Sequence, residues 1–235
     1  MTKRITISTL DAMKASGDKF VMITAYDATF ARLASEAGAE TILVGDSLGM
    51  VLQGHETTIP VSLNAMVYHT ECVARAKPRS LIVADLPFMS FSNSDDALHA
   101  STQLMQAGAQ MVKLEGGTWL SDSINRLVER GVPVCAHLGL TPQSVNVFGG
   151  YRVQGRTPKE AKSILADAVE IQDAGASLLV LECIPAELAG DIASKLDIPV
   201  IGIGAGGGTD AQVLVLHDML GMTESAPKFV QNFMK

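Results

Sequence analysis

The sequence is short of the features that mark several protein classes. Only three cysteines occur in 235 residues, Cys72, Cys135 and Cys183, widely spaced and without a CxxC pair. An odd, dispersed set argues against a disulfide framework or a cysteine zinc site, and suits the reduced thiols of a cytoplasmic protein. Basic runs are missing too. With a formal net charge of -7, neither a nucleic-acid footprint nor a polybasic membrane patch is expected. No apolar run approaches the ~20 residues of a membrane span. The N-terminal MTKRITISTLDAMKASGDK lacks the apolar centre of a signal peptide. Charged residues make up 18% against 47% apolar, which excludes disorder and requires that most of the chain be packed.

What is present is an alternation. Short apolar, β-branched runs at 21–26, 41–45, 81–85, 111–115, 132–138, 178–183 and 200–204 read as strands. Helical spacing fills 28–37, 61–76, 94–107, 119–130, 159–174 and 185–196 between them. Near-continuous apolar strands separated by helices mark a parallel sheet covered on both faces. The motifs EAGAE, QAGAQ and DAGAS each place a glycine just before a strand, where helices end. An eighth strand near 212–217 reads equally as helix. The expected fold is an α/β (βα)8 TIM barrel in one domain over 1–235, with an N-terminal helix at 8–16 covering one mouth. A doubly wound open sheet is the alternative.

The strands end differently from how they begin. LVGDS, IVADLP, VKLEGG, VCAHLG and VLEC each close an apolar start with an ionisable group. In barrels that end forms the active site. Alternation puts Asp85 on a face with Val83 and Leu81, and Glu182 with Val180 and Leu178. By the same count Asp46 shares a face with Val44 and Ile42, and Lys113 with Glu115. Buried charges are costly unless paired or metal-bound. Asp46, Asp85 and Glu115 are therefore candidate ligands of a hard divalent cation, Mg²⁺ or else Mn²⁺ or Co²⁺. The bland reading makes the two aspartates helix or turn caps.

Glu182, in an otherwise apolar run, suits a general base, or else pairs with Lys113 or another buried cation. His137 is either a hydrogen-bond donor to substrate or a satisfied interior histidine. Cys135 and Cys183 read as packing residues. Gly202, Gly204 and Gly207 spell GxGxxG, but late in the chain and outside a dinucleotide setting, so they read as backbone packed close beneath a substrate. The Gly-rich stretches 49–60 and 138–156 read as active-site loops.

LVGDSLGMVLQGHETTIPV, ADLPFM, VKLEGG, AHLGLTPQSVNVFGGYRVQGR, LECIP and IGIGAG occur in order along nearly the whole chain. In these the sequence resembles the ketopantoate hydroxymethyltransferases. The resemblance implies Mg²⁺ held by Asp46, Asp85 and Glu115, and 2-oxo acid contacts from Asp46, Ser47, Asp85 and Lys113. It implies Glu182 as proton acceptor and His137 near the product. It further implies hydroxymethyl transfer from 5,10-methylenetetrahydrofolate to 3-methyl-2-oxobutanoate in pantothenate synthesis, often by a homo-oligomer, a decamer of two pentameric rings. Two departures stand out: Ala211 replaces a usual glycine, and TESAPKF at 223–229 is a shortened turn, after which relatives usually continue past Lys235. A Schiff-base aldolase using Lys113, a metal-dependent lyase of the phosphoenolpyruvate/isocitrate lyase kind, and a non-catalytic ligand-binding barrel are the competing readings.

Overall fold

The computed structural model describes residues 4–224 and 226–235. Eight parallel strands close in sequence order into a barrel. They are β1 (Phe20–Thr24), β2 (Thr41–Val44), β3 (Leu81–Asp85), β4 (Met111–Glu115), β5 (Val134–Gly139), β6 (Leu178–Glu182), β7 (Val200–Ile203) and β8 (Ala211–Leu214). Closure is explicit in β1, which pairs with β2 on one side and β8 on the other. The helices are α1 (Ile7–Ser16), α2 (Ala28–Glu36), α3 (Leu48–Val51), α4 (Leu63–Arg75), α5 (Ser94–Gln106), α6 (Ser121–Val128), α7 (Val145–Phe148), α8 (Pro158–Asp173), α9 (Ala186–Lys195) and α10 (Leu216–Met219).

Every expected helix is present within a few residues. The 119–130 segment splits into a 3-10 turn, Thr118–Leu120, and α6. Both readings of 212–217 are half right, because β8 ends at Leu214 and α10 begins at Leu216. The two Gly-rich loops are partly ordered into short helices, α3 in the first and α7 in the second. Among the described residues no helix is long and apolar enough to cross a membrane.

The strand alternation splits the core in two. Ile42, Val44, Ile82, Ala84, Val112, Leu114, Leu179 and Leu181 face the helices. Phe20, Met22, Leu43, Leu81, Val83, Met111, Cys135, Leu178, Val180, Ile201 and Val213 fill the barrel's inside. One expectation is corrected here. Val44 and Ile42 point outward, away from Asp46's neighbours, because β2 ends at Val44 and Asp46 lies in the turn beyond it. Alternation holds only while the backbone stays extended. Ala211, at the glycine departure, is buried in the inner cluster, where its methyl adds to the barrel floor.

Helix α1 closes the lower mouth. Leu10 is fully buried and joins the inner cluster with Ile5, while Lys14 Nζ donates to Asp210 Oδ2 (2.7 Å) and to the Ala193 carbonyl (2.9 Å). Leu10→Ala should cost about 2–5 kcal/mol, since rigid strand ends cannot collapse into the void. Denaturant unfolding checks this; a loss under 1 kcal/mol would mean that α1 is an accessory to the barrel rather than its plug.

Candidate active site

The parallel register brings the ionisable residues together at the opposite mouth. Asp85 on β3 sits across from Lys113 on β4, Glu115 on β4 from His137 on β5, and Gly139 on β5 from Glu182 on β6. Each pair lies at the strand end, above the apolar filling of the barrel. Gly139, at φ +89°, lies so close to the Glu182 carbonyl that no side chain would fit there. Cys183, straight after Glu182, is held at φ +46°, a left-handed conformation unusual for a non-glycine residue and common where sites store strain.

Lys113 is the hub. Its ammonium donates to Asp85 Oδ1 at 2.7 Å and lies 3.7 Å from Glu115 Oε1, with all three side chains at most 4% exposed. The other Asp85 oxygen accepts the backbone N–H of Asp46 (3.0 Å) and so fixes the turn that carries it. Burial opposes the charged lysine, but Asp85, Glu115 and Asp46 outweigh it and hold its pKa above the usual value. Asp46 is pushed toward its neutral form: burial, then the Glu115 and Asp85 carboxylates, raise its pKa well above the ordinary range.

His137 stands between two carboxylates, Nδ1 3.4 Å from Glu115 Oε1 and Nε2 3.3 Å from Glu182 Oε2. Neither contact has hydrogen-bond alignment, so both ring nitrogens lack a well-formed partner. Burial and Lys113 disfavour the imidazolium, yet the two carboxylates prevail and lift its pKa to about 9. At neutral pH this ring is therefore a proton donor. Glu115 is itself buried, which opposes its ionisation, but His137, Lys113 and the Gln143 amide keep its pKa low.

Sequence reasoning missed two residues of this cluster. Gln143 is buried, donates from Nε2 to Asp46 Oδ2 (2.9 Å) and to the Leu86 carbonyl (2.9 Å), and from its backbone N–H to Glu115 Oε2 (3.0 Å). One residue thus orients two carboxylates 97 and 28 positions away in sequence. Tyr26, also buried, shares a hydrogen bond with Ser47 (hydroxyl–hydroxyl 2.9 Å) and so fixes that side chain beside Asp46. A buried Gln in a polar loop and a Tyr at a strand end carry no charge signal. Only their contacts reveal them.

Other expectations resolve plainly. Two of the GxGxxG glycines pack against the protein itself: a methyl on Gly202 would meet Thr209, and one on Gly204 the Phe229 ring, while one on Gly207 would meet nothing within 4 Å. At these two positions the close approach is to side chains of this chain. Phe229 belongs to the 223–229 turn, of which residue 225 lies outside the described residues. Cys135 is buried, its thiol pushed up to about 12 by desolvation, and Cys183 to about 11, consistent with packing roles.

Among the described residues, no group of three or more His, Cys, Asp and Glu side chains is arranged to hold a metal directly. The carboxylates are turned onto Lys113, His137 and Gln143 instead. The donor set nevertheless fits a hard dication. Asp46, Asp85 and Glu115 bring three carboxylates against one ammonium into a buried space, where burial and then the Glu115 and Asp85 carboxylates disfavour a charged Asp46. Oxygen-only donors without paired cysteine or histidine are of the kind that Mg²⁺ takes.

Similarity to known proteins agrees with this geometry. Residues 4–235 match the family model of ketopantoate hydroxymethyltransferase. The chain belongs to the ketopantoate hydroxymethyltransferase family. The 3-methyl-2-oxobutanoate hydroxymethyltransferase of Saccharophagus degradans is 56% identical over 234 residues, covering 100% of this chain and 87% of that one. That of Marinobacter nauticus is 59% identical, covering 98% and 88%. Among solved structures, phosphonopyruvate hydrolase in complex with oxalate and Mg²⁺ superposes with TM-score 0.69 at 14% identity, over 92% of this chain and 82% of that one. A 2,3-dimethylmalate lyase of the PEP mutase/isocitrate lyase superfamily gives 0.67 at 19%, again over 92% and 82%. At such identities these two share the family's barrel and no more.

Proposed function

We propose that this chain forms ketopantoate by transferring a hydroxymethyl group from 5,10-methylenetetrahydrofolate to 3-methyl-2-oxobutanoate, with Glu182 as the base that opens the reaction. Membership of the hydroxymethyltransferase family and the converging strand ends support this reading. The observation that carries it is the pairing of one partly accessible carboxylate, Glu182, with His137 one strand away, beside the buried cluster of Lys113 and its carboxylates.

The 2-oxo acid would lie over Asp46, Ser47, Asp85 and Lys113. Asp46, Asp85 and Glu115 would hold Mg²⁺, which when bound supplies Lewis-acid charge to the keto oxygen. Glu182 takes the proton from C3. Lys113, held charged, faces the negative charge that grows as the proton leaves. His137, protonated at neutral pH, braces Glu182 and stands near the hydroxyl of the product. Water opens the methylene bridge of the folate, whose C–N bonds break to release tetrahydrofolate. C3 bonds to the one-carbon unit so freed, and the water oxygen remains as the hydroxyl, which takes up the proton. Mn²⁺ and Co²⁺ are the alternative metals for the same donors.

A Schiff-base mechanism at Lys113 needs a neutral amine, and the three carboxylates around this ammonium oppose one. The family's cytoplasmic homo-oligomer, a decamer, is the proposed assembly, and the exposed Val147, Phe233 and Met234 are apolar side chains that subunit contacts would cover. Ketopantoate formation from the 2-oxo acid and methylenetetrahydrofolate should vanish in EDTA and return with Mg²⁺. Activity indifferent to EDTA, or borohydride trapping of substrate on Lys113, would overturn the metal reading.

A further inference from the structure

A cleft of about 320 Å³ lies outside the carboxylate cluster, between α8 and the loops that follow β4 and β5. Its walls include Gly117, Trp119, Ser144, Glu160, Ser163 and Asp167. A second cavity of about 120 Å³ shares Trp119 and Ser144 with it, and is also lined by Glu115 and Gln143. The shared walls link the cleft to the reacting centre. An elongated molecule seated in the cleft can place one end over the carboxylates.

The chemistry of the walls is that of a flat, donor-bearing ring. Trp119, the chain's one tryptophan, is 61% exposed, yet its ring is held in place. It stacks on Phe91 (centroids 6.0 Å apart, planes 11° apart) and lies against Gly116, where a side chain would strike it. An exposed indole held by its neighbours offers aromatic surface at little entropic cost. Asp167 accepts from the Thr118 N–H and hydroxyl through Oδ1, while Oδ2 accepts no hydrogen bond among the described residues. Glu160 engages only Oε2, with the Thr157 N–H. Each carboxylate thus keeps an oxygen for a ligand.

The neighbours of the cleft residues in sequence have the opposite sign. Arg152, Arg156, Lys159 and Lys162 adjoin the cleft residues in sequence, are exposed, and make no ion pair among the described residues. In a protein of net charge -7 this is a local excess of cations. Acids inside and cations outside match one class of ligand: a pterin, whose N3–H and 2-amino group form a donor edge, joined to a tail that ends in carboxylates.

We infer that this cleft seats the pterin of the reduced-folate donor, stacked on Trp119 with its donor edge toward Asp167 and its tail toward these cations. The inference rests on the folate-dependent reading above. The test uses the full-length protein with Mg²⁺ and the 2-oxo acid, and 5-formyltetrahydrofolate as the probe, followed by tryptophan emission and calorimetry. Saturable quenching of Trp119 is expected. Asp167→Asn should weaken binding, but Asp167 also holds the Thr118 turn, so a second variant is needed. Ser163→Phe fills the cleft from an exposed helix position and should raise the probe's Kd at least tenfold, with the 2-oxo acid's Kd within twofold. Calorimetric binding without any change in Trp119 emission, or wild-type affinity in Ser163→Phe, would place the donor elsewhere. No binding of the probe to the wild type would instead overturn the folate reading itself.

Discussion

Glu182→Gln should bring exchange of the C3 proton of 3-methyl-2-oxobutanoate with solvent close to background, a fall of about 10²–10⁴-fold. Binding of the 2-oxo acid should stay within a few-fold of wild type. The replacement keeps the shape of the side chain and removes its basicity. Glu182 is placed for this by β6, whose inward residues below it, Val180 and Leu178, are apolar filling, and by a strained Cys183 above it. Its neighbour His137 cannot take over. Flanked by two carboxylates, the imidazole has a pKa of about 9 and carries its proton at pH 7. Removing one of the two carboxylates lowers that pKa, but Glu115 still stands 3.4 Å from Nδ1. NMR of the substrate in D₂O reads the exchange directly. A wild-type rate in the variant would sink the base assignment, and the most basic group left near the substrate would then be a carboxylate of the metal cluster.

Much of this site was legible before any coordinate, for a physical reason. A charge at the end of an apolar strand is too expensive to be accidental, so Asp85, Lys113, Glu115, His137 and Glu182 announced themselves. Alternation correctly gave the inward faces of Asp85, Lys113, Glu115 and Glu182, since each lies within or at the end of an extended strand. Asp46 shows where the same rule stops. It lies past the last residue of β2, in a turn secured by the Asp85 carboxylate, and a period of two has no meaning there. Gln143 and Tyr26 were invisible because their roles are relational: each matters through a hydrogen bond to a residue far away in sequence. The glycines at 202 and 204 say less than the charged residues do. Lack of a Cβ reports close approach, but not of what, and here the approaching groups are Thr209 and Phe229.

Lys113→Met should be the most damaging single change to stability, costing about 3–5 kcal/mol in metal-free protein, because it strands buried carboxylates without their counter-ion. For a chain of this length that corresponds to a fall in Tm of roughly 6–20 °C. Methionine keeps the volume of the stem, so the loss isolates the charge. Asp85 would lose its 2.7 Å partner, Glu115 its 3.7 Å one, and Asp46 the cation that now tempers its raised pKa. If that account is right, neutralising a partner must repair the damage. Lys113→Met with Asp85→Asn should therefore be more stable than Lys113→Met alone, although equally inactive, and a double-mutant cycle measures the coupling. Mg²⁺ offers an independent reading. With the ammonium gone, the three carboxylates should bind a dication more tightly, so saturating Mg²⁺ should raise the variant's Tm by more than it raises the wild type's. Equal Mg²⁺ shifts in the two proteins would mean that lysine and metal do not answer to the same carboxylates. The charge argument for Asp46, Asp85 and Glu115 as ligands would then fail at its first step.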